Sequence, residues 1–197
     1  ELAFYAYSGY WKSPGGQRFP PMQATFPKLS VYGASLRGNI FKGIGNVEMA
    51  YYDSRQDRGG GNPFVNNSEF RLLLGYEREL AKEFTGGVQY YLEHMMDYSS
   101  YRNSLVPFIM DARDQDRHLF TVRLTKLLMR QDLTLSLFAF FSPSDVDTYL
   151  RPQVSYKVND QWTVECGGNV FFGEKPSTFF GQFEDNTNVY GAVRYSF

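Results

Sequence analysis

Two histidines, one cysteine and a knot of acidic residues are the side chains of this chain that could do chemistry. His94 and His118 flank the segment 98–116, and Asp97, Asp111, Asp114 and Asp116 lie close to them in sequence. A histidine base serves a serine nucleophile only within hydrogen-bond reach. No His-x-Ser spacing accompanies either ring, so both read as ordinary polar side chains near a loop, and no enzyme is expected. The run D-A-R-D-Q-D-R (111–117) offers oxygen ligands at alternate positions, as a hard cation prefers. Arg113 and Arg117 interrupt it, and no metal is assigned. The glycine-rich R-Q-D-R-G-G-G-N (55–62) opens no helix, so a phosphate loop fails on context. Cys166 is alone, which excludes an intrachain disulfide and a zinc framework. It reads as a small apolar strand residue. No cofactor is expected.

The elements that carry these residues follow from composition and period. The chain has 197 residues, a net charge of -1, 18 Phe, 15 Tyr and 18 Gly. That balance gives no reason to expect nucleic acid, and the aromatics and glycines favour strands joined by tight turns. The mean hydropathy is -0.41. No run approaches the ~20 apolar residues of a spanning helix, but a barrel, whose strands face lipid on one side and a polar lumen on the other, is compatible with that value. Residues 1–11, E-L-A-F-Y-A-Y-S-G-Y-W, lack the basic start and unbroken apolar core of a secretory signal. They already read as a strand, and a signal peptide, with or without further strands, is expected before Glu1.

Period-2 alternation then recurs along the chain. Strands are expected at 2–12, 29–40, 44–54, 68–79, 83–97, 117–128, 132–142, 147–158, 161–172 and 189–197. The faces of the first are ambiguous. In the others an apolar set, such as Phe70, Leu72, Leu74 and Tyr76, opposes a polar set, such as Glu69, Arg71, Gly75 and Glu77. Short turns near 42, 81, 131 and 159 alternate with longer loops at 13–28, 55–67, 98–116, 143–146 and 173–188. Eleven tilted residues cover ~25 Å, the apolar band of a membrane barrel. The alternative is a soluble β-sandwich, whose strands are usually half as long.

The polar faces carry Arg37, Glu48, Arg71, Glu77, Glu93, Arg123, Arg151, Lys157, Glu165 and Arg194. Ten charges in a dry core would cost several kcal/mol each unless paired, whereas a wet lumen holds them readily. These ten are the expected lumen lining, with mixed signs and no single-sign field. Tyr76, Phe84, Tyr156, Trp162, Tyr195 and Phe197 fall near the short-turn ends of the apolar faces. Tyr51, Phe141 and Phe172 fall near the long-loop ends. Amphipathic rings prefer both membrane interfaces, so these nine are the expected girdles.

The last nine residues, V-Y-G-A-V-R-Y-S-F (189–197), alternate to a terminal aromatic. This pattern resembles the closing strand of bacterial outer-membrane β-barrels of the porin-like kind. The resemblance implies an antiparallel transmembrane β-barrel over residues 1–197 as a single domain, either a complete ten-stranded barrel or the C-terminal part of a larger one. It implies a Gram-negative outer-membrane location, contact with membrane lipid and lipopolysaccharide, and recognition of the last strand by the barrel-assembly machinery. The expected function is passive transport of a small-molecule solute. The alternatives are a structural or adhesive barrel whose loops meet an extracellular partner, and a hydrolase at a His94/His118 rim.

Overall fold

The computed structural model describes residues 1–18, 20, 23–105, 112–175 and 178–197. Asp111 of the acidic run therefore lies outside the described residues. The strands are β1 (Leu2–Tyr10), β2 (Gly16–Arg18), β3 (Gln23–Thr25), β4 (Lys28–Ile40), β5 (Gly43–Ser54), β6 (Glu69–Ala81) and β7 (Phe84–Met95). A short helix, α1 (Tyr98–Ser104), precedes β8 (Asp116–Leu128), β9 (Leu133–Ser142), β10 (Asp147–Lys157), β11 (Trp162–Gly173) and β12 (Asn188–Tyr195). The protein is all-β. Ten strands form one antiparallel sheet in the order β1-β4-β5-β6-β7-β8-β9-β10-β11-β12, a meander in which sequence neighbours are sheet neighbours. The strands β1 and β12 stand at its two edges.

Chemistry at the turns explains the tight connections. Phe41 and Lys42 both take positive φ, 45° and 63°, the primed geometry that follows the right-handed twist of a hairpin. The next turn falls on Lys82 and Glu83, one residue beyond the expected place, with Glu83 at φ 56°. At 159–161 the side chain of Asn159 accepts the backbone N–H groups of Gln161 and Trp162, both at 2.9 Å. Asparagine does this readily, which is why it marks turns.

Two of the expected loops hold a strand pair or an α-helix. Segment 13–28 contains the β2–β3 hairpin, and Gly16 bridges to Val65 of the next long loop. Segment 98–116 contains α1. Neither carries the long apolar alternation that reveals a sheet strand, so neither was visible in the period of the sequence.

The chain divides into two compact units. The first comprises Glu1–Arg37, Asn46–Leu73 and Tyr91–Arg117. Here the register pairs Leu2 with Leu36, Phe4 with Ala34 and Ala6 with Tyr32. Paired residues share a face, so the even positions of β1 belong with the apolar face of β4. Phe4 on that face is 77% exposed, while Glu69 on the polar face of β6 is only 8% exposed.

The second unit comprises Gly38–Gly45, Leu74–Tyr90 and His118–Phe197. Its register from β8 to β12 is regular. Phe120 pairs with Phe141, Phe141 with Thr148, and Thr148 with Phe172, so one row crosses four strands. Leu135, Val154 and Cys166 form a second row on the same face. Phe141, Val154 and Phe172 are 49%, 43% and 51% exposed. Asp147 and Ser142, paired on the other face, are fully buried.

The polarity of a water-soluble fold is therefore reversed in both units. The buried apolar side chains among the described residues are Trp11, Leu29, Met95, Tyr101 and Phe180, fewer than the buried polar ones. The hydrophobic effect acts on apolar area removed from water. In this sheet the apolar rows described above are left largely exposed by the described residues.

Candidate functional site

The polar face of the first unit gathers its charges into a ladder. Alternation places Glu69 and Arg71 of β6, and Tyr91 and Glu93 of β7, on the same side of their strands. The guanidinium of Arg71 donates through Nε and Nη2 to Oε2 of Glu69, at 3.0 and 2.6 Å. Its Nη2 also stands 3.5 Å from Oε1 of Glu93. Glu93 accepts from Nη1 of Arg117 at 3.1 Å and from the hydroxyl of Tyr91 at 3.0 Å. Arg71 lies over the ring of Tyr52, 4.1 Å from its centroid, and Tyr52 stacks on Trp11 at 5.8 Å. The four charges alternate in sign; Glu69 is buried and Arg71, Glu93 and Arg117 are half-buried. They satisfy one another, which is what keeps ionised groups tolerable away from bulk water.

Two of the ten expected lumen residues, Arg71 and Glu93, belong to this ladder. Glu69, Arg117, Tyr52, Tyr91 and Trp11 were not singled out. Glu69 shares the parity of Arg71, which was signal enough. Arg117 is the second residue of β8 but reads as the last residue of an acidic loop. The aromatic members look no different in sequence from girdle residues.

The other expected residues have varied surroundings. Asn46 donates to Glu48 at 3.4 Å. Arg37 is exposed and its backbone exchanges hydrogen bonds with Glu1. In the second unit Glu77 lies against Gly87, where an added Cβ would stand 3.3 Å from Oε2. Arg194 reaches Glu165 at 3.4 Å. Lys157 donates to Asp160 at 2.8 Å across the 158–161 turn. Arg123 and Arg151 are exposed, and both pair in register with Phe138.

Loop 173–188 was expected to be a plain connection. Residues Gly181–Asn186 instead form a 3-10 turn, and the segment packs on the sheet face opposite the exposed apolar one. There Phe140, Tyr149 and Phe171 stack nearly parallel across three strands, at 5.9 and 4.5 Å. Phe180 and Phe183 cover them. The buried carboxylate of Asp147 accepts the backbone N–H of Phe180 at 2.8 Å. Gly173 and Gly181 touch through their backbones, so closely that a side chain on either would displace the segment. On β9 to β11 part of this second face is thus aromatic and covered.

Of the expected girdle, Trp162 and Tyr195 pair in register with ring centroids 4.8 Å apart, and Phe197 lies 6.5 Å beyond Tyr195. Tyr76 donates to the carbonyl of Phe41 at 2.7 Å. Tyr51, Phe141, Tyr156 and Phe172 are exposed, and Phe84 is half-buried.

Each histidine is engaged by something other than serine. Nδ1 of His94 is 2.6 Å from Oδ1 of Asp116. Nδ1 of His118 is 2.8 Å from the hydroxyl of Tyr90, and the two rings stack at 6.0 Å. Ser144 serves the main chain of His118, whose N–H donates to its hydroxyl at 2.7 Å. Comparison with known proteins adds no assignment: no family model, curated protein or solved structure matches the chain.

Proposed function

We propose that this chain is a transmembrane β-barrel of the Gram-negative outer membrane that passes small polar solutes through a water-filled lumen. The observation that carries the proposal is the reversed polarity of the sheet. Exposed Val, Leu, Phe and Tyr rows cross strand after strand on one face, while Glu69, Ser142 and Asp147 are buried on the other. A lipid phase covers such a face without cost, and strands of this length suit its thickness. The exposed aromatic rows at the strand ends suit the headgroup level. Closure requires β12 to pair with β1 or with a further strand, since an open edge has no place in hydrocarbon. The Glu69–Arg71–Glu93–Arg117 ladder then stiffens the lumen wall and presents both signs to the solute path.

Planar-bilayer recording of the protein folded from detergent tests this. Discrete conductance steps are expected. Folding into vesicles without conductance would leave a barrel and remove the channel.

A second reading, a barrel working through its loops, has one observation in its favour. In the first unit a cavity of about 300 Å³ is lined by Gln17, Phe64, Asn66, Tyr101 and Arg113, among others. That is the small end of ligand pockets, built from three separate connecting segments. Loss of binding to cells on deletion of 98–116, with conductance unchanged, would favour it.

A further inference from the structure

The second unit holds two cations that the ladder does not account for. Arg123 of β8 and Arg151 of β10 are both register partners of Phe138 on β9. Their side chains therefore leave the same face, one on each side of a single aromatic ring, about 10 Å apart at two strand spacings. Neither makes an ion pair among the described residues, and both are exposed. The nearby charges have other arrangements. Glu165 takes Arg194, Lys157 takes Asp160, and Glu77 lies on Gly87.

The next row toward the loops is Thr121, Phe140, Tyr149 and Phe171, paired in register and roofed by Phe180 and Phe183. The following row toward the turns is Thr125, Ser136, Gln153 and Gly167. The two guanidiniums thus sit between an apolar covered shelf and a hydroxyl- and amide-bearing row. Like charges at a separation comparable to the Debye length repel, and among the described residues no acid forms an ion pair with either. Arginine side chains flex enough to converge, and each offers a planar fork that matches oxyanions two bonds at a time.

We propose that Arg123, Phe138 and Arg151 form a station for phosphoryl dianions, either free phosphate or a small phosphomonoester. The shelf beside it closes one approach, so the ion enters from the side of Thr125 and Gln153. Two guanidiniums bind a divalent oxyanion in preference to chloride because each contributes its own pair of donors. The station's place on a transport path rests on the pore proposed above, but its binding chemistry does not.

The test has two arms. In bilayers under a potassium chloride gradient, the wild type is expected to favour anions, and millimolar phosphate is expected to reduce the chloride current. Arg123→Ala/Arg151→Ala is expected to raise the half-blocking concentration at least tenfold and to bring the selectivity toward neutrality. Arg123→Lys/Arg151→Lys is expected to keep the anion preference and lose most of the block, since the fork geometry is gone. Glycerol phosphate in place of phosphate distinguishes an organic ligand from the free ion. Calorimetric titration of phosphate into the protein in an uncharged detergent is the second arm. Saturable binding that the double alanine variant lacks supports the station even where no channel forms. Absence of binding, or equal block and selectivity in wild type and double alanine variant, overturns it.

Discussion

The contact between Arg71 and Glu69 gives the sharpest test of how this sheet holds charge. Both donors of the guanidinium edge reach one carboxylate oxygen, at 3.0 and 2.6 Å. The side chains of the two residues are 23% and 11% exposed. A hydrogen bond to a charged partner is worth about 1.5–3 kcal/mol on truncation, and leaving a buried charge unpaired costs about 3–5 kcal/mol. Partial exposure places Glu69→Gln near the low end of the first range, about 2 kcal/mol. Arg71→Met strands the more buried carboxylate and forfeits the stacking on Tyr52, for about 3 kcal/mol. In the double variant no charge is stranded between the two, so its cost should stay near about 3 kcal/mol. The cycle then gives a coupling of about 2 kcal/mol, well outside the additivity of independent sites. Urea unfolding in detergent micelles, followed by gel mobility and tryptophan fluorescence, measures all four proteins. Additivity within about 0.5 kcal/mol would refute the claim that the two side chains act as one unit.

Two further outcomes follow from face and turn. Val154→Arg lies mid-strand on the exposed apolar face, between Leu135 and Cys166, and is expected to cost about 2–4 kcal/mol in lipid vesicles. The neighbouring Gln153→Arg, on the other face, should stay within about 0.5 kcal/mol, and equal costs would argue against lipid on the apolar side. Asp160 is held below its ordinary value by the hydrogen bond from Lys157 and by its positive charge. A depressed folded pKa stabilises above the unfolded value and loses that contribution as pH falls below about 4 toward the folded one. Lys157→Met is expected to return the Asp160 carboxyl to its ordinary range in an NMR titration, with no change if the contact is idle.

The sheet strands were legible because a period of two needs no tertiary information. The apolar faces from β4 to β12 could be read strand by strand from the alternation, although rows across strands, such as Leu135, Val154 and Cys166, come only from the register. What escaped was whatever breaks that period. The β2–β3 hairpin and α1 are too short to show a face, and their positions depend on pairings such as Gly16 with Val65. The first strand illustrates the same limit from the other side. Leu2, Phe4 and Ala6 compete with Ala3, Tyr5 and Tyr7, and only the register against β4 decides between them.

The ionic and aromatic parts of the second face were hidden for a different reason. Parity gave Arg71, Glu93, Arg123 and Arg151 the same standing, as charges on polar faces. Their neighbours across strands separate them. Arg71 meets acids on β6 and β7, so its charge is consumed within the wall. Arg123 and Arg151 meet Phe138, a residue that neither neutralises nor excludes them. Cross-strand identity depends on the register of three strands at once, which no local pattern encodes. On the pore proposed above, the selectivity measurement belongs at Arg123 and Arg151, because their shared register partner Phe138 brings no charge to offset theirs.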